Sequence, residues 1–102
     1  MADKKGENIV LMDLRDISLI TDFFVIASAN NERLLNAITE HVHDELKKRQ
    51  QIYPWRIEGR GDSGWVLMDY GDVVIHLFSP EVRSYYDLES LWRDANVLVH
   101  VQ

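Results

Sequence analysis

The chain has 102 residues and a mass of 11.9 kDa, which fits one folded domain with a single hydrophobic core. Its 11 Lys and Arg residues against 17 Asp and Glu residues give a net charge of −6, which argues against direct DNA binding and favours a basic protein partner. Cysteine is absent, which excludes disulfides and thiolate chemistry, and no apolar run approaches the roughly 18 residues of a membrane span, so we expect a cytoplasmic protein.

Two short apolar runs near the start of the sequence predict buried β-strands. Residues 9–14 and 23–29 have strand length, and the second run is rich in β-branched and aromatic residues. A helix is predicted over residues 31–49, because Asn31 can cap its start and apolar residues recur along it at helical spacing.

The second half of the sequence predicts a β-hairpin and a second helical stretch. After a short strand at residues 55–58, the strands 65–70 and 73–78 are joined by a two-residue connection of the kind found in primed hairpin turns. A helical stretch opens at Pro80 and carries two residues that we assign to packing, Leu91 and Trp92. With a terminal strand at residues 97–101, the order predicts an α/β or α+β fold with a mixed sheet of about five strands packed with helices.

The two-residue turn also fixes the register of the hairpin and separates its two faces. One face is almost purely apolar and is predicted to lie against the helices: Val66, Met68, Tyr70, Val73, Ile75 and Leu77. The other face mixes aromatic, acidic and imidazole side chains: Trp65, Leu67, Asp69, Val74, His76 and Phe78. We interpret the mixed face as a partner-binding surface, with a half-exposed sheet face as the alternative.

Patterns associated with enzymes or metal sites have simpler explanations here. Gly59, Gly61 and Gly64 match the dinucleotide fingerprint, but that motif needs a helix directly afterwards and a strand is predicted instead. Asp69 and Asp72 flank the hairpin turn and could together hold magnesium for phosphoryl or nucleotidyl transfer, but Asp72 in a Gly-Asp turn already has a structural explanation. The helix also has a polar side that we interpret as solvated: Glu40, His43 and Asp44. We therefore predict no catalytic residue, no metal ligand and no cofactor.

Several segments, in this order, carry a resemblance to a known family: residues 18–26, the capped helix after Asn30, Glu58-Gly59, residues 65–76 and residues 85–92. Together they resemble the ribosomal silencing factor family, the Iojap-related proteins. The resemblance implies a non-catalytic translational repressor that binds the large ribosomal subunit through ribosomal protein fourteen and blocks joining of the small subunit. It also implies a nucleotidyltransferase-like sheet and a homodimer.

Relative to that family, we expect a single domain over residues 1–102 that lacks the helix usually found before the first strand. Two other functions stay open: a small nucleotidyltransferase-like enzyme or nucleotide-binding protein, and a dimeric adaptor for an unrelated protein partner. The resemblance supports the positions of Trp65 and Tyr86 best. We predict a compact partner-binding patch, formed by Trp65, Asp69, His76, Phe78, Tyr85 and Tyr86.

Overall fold

The computed structural model describes residues 7–19 and 21–101. Within these residues six strands form one sheet: β1 (Glu7–Asp13), β2 (Phe23–Ser28), β3 (Arg56–Glu58), β4 (Trp65–Asp69), β5 (Val73–Phe78) and β6 (Asn96–Val101). The helices are α1 (Glu32–Gln50), α2 (Pro80–Tyr86) and α3 (Leu88–Leu91), and a short 3₁₀ turn covers Gly61–Ser63. None of the helices in the described part of the chain combines the length and apolar character needed to cross a membrane.

The strands lie in the order β3-β4-β5-β2-β1-β6 across the sheet. The central pair, β2 and β5, is parallel, and the other neighbouring pairs are antiparallel. This mixed sheet with helices confirms the predicted fold class. The terminal strand β6 pairs with β1 at one edge and brings the number of strands to six. The predicted nucleotidyltransferase likeness stays a prediction, and the expectation about a preceding helix concerns residues 1–6, which lie outside the described residues.

Helix α1 packs on one face of the sheet. It starts at Asn31, whose side-chain Oδ1 accepts a hydrogen bond from the backbone N–H of Leu34 at 2.9 Å, and it ends at Gln51 in a left-handed conformation. Its buried side chains, Leu35 and Ile38, meet the apolar hairpin face, as predicted. The resulting core cluster consists of Ala27, Ala29, Leu35, Ile38, Val66, Met68, Ile75 and Leu77.

The second helical stretch is broken in two at Asp87. This residue has a φ of 48°, a left-handed value that an α-helix cannot continue through, so α2 ends there and α3 begins with the next residue. The break changes which side chains of α3 face the sheet, and Leu91 is 71% exposed. The prediction that Leu91 packs in the core was therefore wrong. The same assignment is confirmed for Trp92, which is half-buried and meets Phe24 edge to face at 5.9 Å.

Arg83 ties the two short helices to the sheet. Its guanidinium Nε and Nη2 each donate to the carboxylate of Glu89 at 3.1 Å, across the break. The Nη1 group donates to Ser28 Oγ at 2.8 Å and to the backbone carbonyl of Asn8 at 2.7 Å. One side chain therefore holds α2, α3, β1 and β2 together, and charge-assisted bonds of this kind are about twice as strong as neutral ones.

With α2 and α3 in place, the second face of the sheet also carries a core. The buried residues there are Val10, Met12, Leu14, Phe24, Ile26 and Phe78. Partly buried side chains close over them: Trp65, Val74, Val82, Leu88, Trp92 and Ala95. Helices therefore cover the central strands of the sheet on both faces, whereas the edge strands β3 and β6 are exposed.

Candidate partner-binding surface

The hairpin has the register that the two-residue turn predicts. Trp65 opposes Phe78, and Leu67 opposes His76. Asp69 opposes Val74 in the same ladder. The mixed set of side chains therefore shares one face of the sheet, as predicted, and α2 determines which of them a partner can reach.

Phe78 and His76 are buried, which corrects their expected place on an open surface. Phe78 is 0% exposed and His76 is 4% exposed. The ring of Phe78 stacks on Trp65 with centroids 5.1 Å apart, and Phe24 meets the His76 ring edge to face at 4.6 Å. Both side chains therefore support the surface from beneath. The polar character of histidine suggested exposure, but a neutral imidazole is readily buried when one ring nitrogen is hydrogen-bonded.

His76 is held neutral by its surroundings. Trp65 Nε1 donates a hydrogen bond to His76 Nδ1 at 3.1 Å, so the neutral ring carries its proton on Nε2. Burial lowers the pKa of His76 to about 4, because the charged form would lose its hydration. The Nε2 atom is buried without a hydrogen-bond partner among the described residues. This buried imidazole fixes the orientation of the indole above it.

Trp65 and Tyr86 form an aromatic corner where the covered part of the face ends. Their ring centroids lie 4.6 Å apart, with a tilt of 46° between the planes. Trp65 is half-buried, Tyr86 is 48% exposed, and Tyr85 next to it is exposed as well. Tyr85 meets Tyr86 edge to face at 5.1 Å. The structure therefore brings these three predicted residues together at the surface.

A groove of about 280 Å³ opens beside this aromatic corner. Its lining includes residues from β3, β4 and α2 and from the loop before β4: Glu58, Gly59, Ser63, Trp65, Leu67, Val82 and Tyr86. Gly59 has a φ of 81°, and a Cβ there would lie 2.1 Å from the carbonyl oxygen of Trp65, so a side chain cannot be accommodated. Glu58 and Val82 were not predicted as lining residues, because they come from elements outside the hairpin, whereas Leu67 was predicted on the mixed face but not in the patch.

Asp69 lies on the same face but outside the groove. Its Oδ1 accepts a hydrogen bond from the backbone N–H of Gly71 at 2.8 Å, which shapes the hairpin turn. Its Oδ2 lies 3.4 Å from Nε of Arg56, and Nη1 of Arg56 lies 3.1 Å from Oε1 of Glu58. Two carboxylates thus share one guanidinium, and this corner of the face keeps a surplus of negative charge.

The other motifs lie away from this surface or serve the fold. The glycine-rich segment forms the 3₁₀ turn, where Gly61 N–H donates to Asn36 Oδ1 at 2.9 Å and packs the loop on α1. Strand β4 follows directly, as predicted, so the glycine-rich segment does not open a helix, as the dinucleotide fingerprint requires. In residues 7–19 and 21–101, no group of three or more His, Asp and Glu side chains comes close enough to hold a metal ion.

A second unpartnered surface lies at the opposite edge of the sheet. Strand β6 pairs with β1 on one side only, and its four aliphatic side chains are between 45% and 56% exposed: Val97, Leu98, Val99 and Val101. The strand has no acidic or basic side chain other than that of His100. The strand was predicted, but its place at the edge of the sheet was not.

The family model described as Ribosomal silencing factor during starvation matches residues 1–102 of the chain. The chain belongs to this family. It is 45% identical over 93 residues to the ribosomal silencing factor of Halalkalibacterium halodurans, which covers 91% of this chain and 79% of that protein. The resemblance that the motifs indicated is thereby confirmed.

A solved structure and a further relative extend the comparison. A crystal structure of a Chromobacterium violaceum protein superposes with a TM-score of 0.85 at 34% identity, covering 90% of this chain and 76% of that one. A mouse protein named "Mitochondrial assembly of ribosomal large subunit protein 1" is 41% identical over 75 residues, covering 71% of this chain and 32% of its own length.

Proposed function

We propose that this protein represses translation by binding the large ribosomal subunit through ribosomal protein fourteen and blocking the small subunit from joining. Family membership supports a ribosome-associated silencing role. The mouse relative supports the choice of subunit, because its name refers to the large ribosomal subunit. On this proposal the protein acts in the cytoplasm by steric occlusion, converts no substrate and is not an enzyme.

The aromatic corner beside the open groove is the observation that carries the proposal. Interfaces draw most of their binding energy from a few aromatic and arginine side chains at their centre, and Trp65 and Tyr86 are such anchors. Trp65 is held by its hydrogen bond to His76 and by stacking on Phe78, so ordering it on binding costs little entropy. The net charge of −6 favours encounter with a basic ribosomal protein.

Sedimentation of the purified protein with separated ribosomal subunits tests the proposal. We expect the protein to migrate with large subunits and not with small subunits, and the added protein to prevent formation of whole ribosomes from the two. Each run is repeated with magnesium and a nucleotide. Nucleotide binding without large-subunit binding would support the enzyme alternative and overturn the repressor function.

We also propose that two copies of the chain associate through β6. An exposed apolar edge strand presents unpaired backbone groups that readily pair with another strand. Because the chain carries a charge of −6, two copies associate most easily through a surface without acidic side chains, and β6 is such a surface. An antiparallel pairing of β6 with β6 of the second copy has the two-fold symmetry that dimers prefer.

The dimer proposal is tested by the mass of the protein in solution, measured by light scattering across a dilution series. Val99→Lys should produce monomers, because the two-fold axis would bring two cations together. Leu91→Lys adds the same charge at an exposed leucine of α3 and should leave the dimer intact. A monomeric parent, or a Val99→Lys variant that still dimerises, would refute the proposal.

A further inference from the structure

We propose that the groove beside Trp65 receives one arginine side chain of the protein partner, with its guanidinium against the Trp65 ring and paired with the Glu58 carboxylate. This inference rests on the proposed function for the identity of the partner, and it adds the chemical group that the groove recognises. Three features of the groove support it: size, charge and the arrangement of its aromatic rings.

The size of the groove suits a single side chain. Its volume of about 280 Å³ lies just below the roughly 300–1,000 Å³ of pockets that take drug-sized molecules. Leu67 and Val82 supply apolar lining, against which the methylene groups of a long basic side chain can lie while its charged end stays near the mouth. A short carboxylic acid would fill less of the groove, and a bulky cofactor would be too large for it.

The charge of the groove selects a cation. Among the described residues that line the groove, only Glu58 is charged, and the nearby Arg56 contacts both Glu58 and Asp69. These three side chains together carry one net negative charge, and Glu58 is the one of them that lines the groove. The Glu58 side chain is 57% exposed, so it can accept a second guanidinium without first losing a buried contact. An anionic ligand would meet repulsion here.

The aromatic rings favour arginine over lysine. A cation over the face of a tryptophan gains the largest cation–π attraction among the aromatic residues, and arginine is the commoner partner. The planar guanidinium can lie along a ring and still donate two parallel hydrogen bonds to a carboxylate, which an ammonium group cannot do. Since Trp65 is already held in place by His76 and Phe78, the ring needs no rearrangement to receive it.

A small probe tests the groove without the ribosome. N-acetylarginine methylamide is titrated into the protein while the NMR signals of the Trp65 ring are followed, with the neutral citrulline analogue as the matched probe. We expect a saturable shift at millimolar concentrations of the arginine probe and no saturation with citrulline. Glu58→Gln should weaken binding about tenfold, because the charge-assisted pair is lost. Glu81→Gln, which removes a carboxylate of α2 outside the groove, should leave binding unchanged.

Sedimentation of the same variants with large subunits separates this inference from the proposed function. Weaker binding of Glu58→Gln than of Glu81→Gln, with the probe result above, supports the arginine site. If large subunits bind the parent and Glu58→Gln equally and the probe leaves Trp65 unshifted, the arginine site is wrong while the repressor function stands. If the probe binds in a Glu58-dependent way but large subunits do not bind the parent, the groove chemistry stands and the ribosomal partner is wrong.

Discussion

The Trp65 side chain contributes both to the packing of the sheet face and to the candidate groove. Its indole N–H donates to Nδ1 of the buried His76, and part of its ring forms the wall of the candidate groove. Truncating it therefore affects both folding and binding, which means that a binding defect has to be compared with a variant that loses an equally large ring elsewhere. Trp55, which is 79% exposed and outside the groove, provides that comparison.

We expect Trp65→Ala to weaken binding to large subunits about thirtyfold or more, as central interface aromatics often cost 2 kcal/mol or more when truncated. Trp55→Ala should leave binding nearly unchanged. Co-sedimentation at several protein concentrations, at a temperature where both variants are folded by circular dichroism, gives the two affinities. Equal affinities for the two variants would remove Trp65 from the binding surface.

His76 should make the stability of the protein depend on pH in the mildly acidic range. Its pKa is lowered to about 4 in the folded state, whereas in the unfolded chain it is near the ordinary 6.5. Between these values the unfolded state binds more protons, so stability falls as the pH falls from about 6.5 to about 4, by on the order of 3 kcal/mol in total.

The measurement is the free energy of unfolding in urea at a series of pH values. His76→Gln, which can still accept the Trp65 hydrogen bond, should have a shallower slope than the parent over this range. His43→Gln, at a partly exposed position of α1, keeps His76 and should retain the steep slope. A parent whose stability does not change between pH 6.5 and pH 4 would show that His76 is not desolvated as the structure indicates.

At the scale of secondary structure, the break between α2 and α3 decides the second core. The break lets α3 turn so that Leu88 packs inward while Leu91 points to solvent. It also places Glu89 within reach of Arg83, which closes the connection back to β1 and β2. A continuous helix with the same residues would have presented a different side to the sheet.

The left-handed conformation of Asp87 makes this break sensitive to the residue type. Asp87→Gly should be as stable as the parent or up to about 1 kcal/mol more stable, because glycine adopts this conformation without steric cost. Asp87→Ala should be less stable than Asp87→Gly by at least about 1 kcal/mol, because the Cβ of alanine is crowded in the left-handed conformation. Urea unfolding of the three proteins compares them. If the glycine variant is the least stable of the three, the left-handed turn is absent from the folded protein.

At the scale of the whole molecule, charge and apolar contact act together in the proposed complex. The net charge of −6 is spread over a surface that also carries the aromatic corner and the edge strand β6. Long-range attraction to a basic partner raises the rate of encounter, whereas the apolar contacts act only after docking. The two contributions differ in how they respond to salt.

Binding to large subunits should weaken with salt without being abolished. The Debye length falls from about 10 Å at 0.1 M to about 3 Å at 1 M, which screens the charge attraction but not the contact made by the aromatic rings. The dissociation constant, measured at constant magnesium from about 0.1 M to about 0.5 M monovalent salt, should therefore rise and then level off. An affinity independent of salt over this range would show that charge plays no part in binding.

Much of this molecule follows from local patterns in its sequence. The N-cap and apolar spacing of α1, the hairpin register and the two hairpin faces were all predicted, because each depends on residues close to one another in the sequence. The family resemblance came from the same segments, and it is confirmed. Trp65, Tyr85 and Tyr86 were predicted to lie close together, and the structure places them so.

Only the tertiary structure decided what covers the second face of the sheet. Burial of Phe78 and His76 depends on α2 and α3 folding back over β5, and the exposure of Leu91 depends on a single left-handed residue between those helices. The groove joins Glu58 of β3 to Tyr86 of α2, and β6 reaches the sheet edge by pairing with the first strand. These contacts join residues far apart in the chain. Packing and loop geometry then outweigh local secondary-structure propensity, and no short sequence pattern specifies which residues meet.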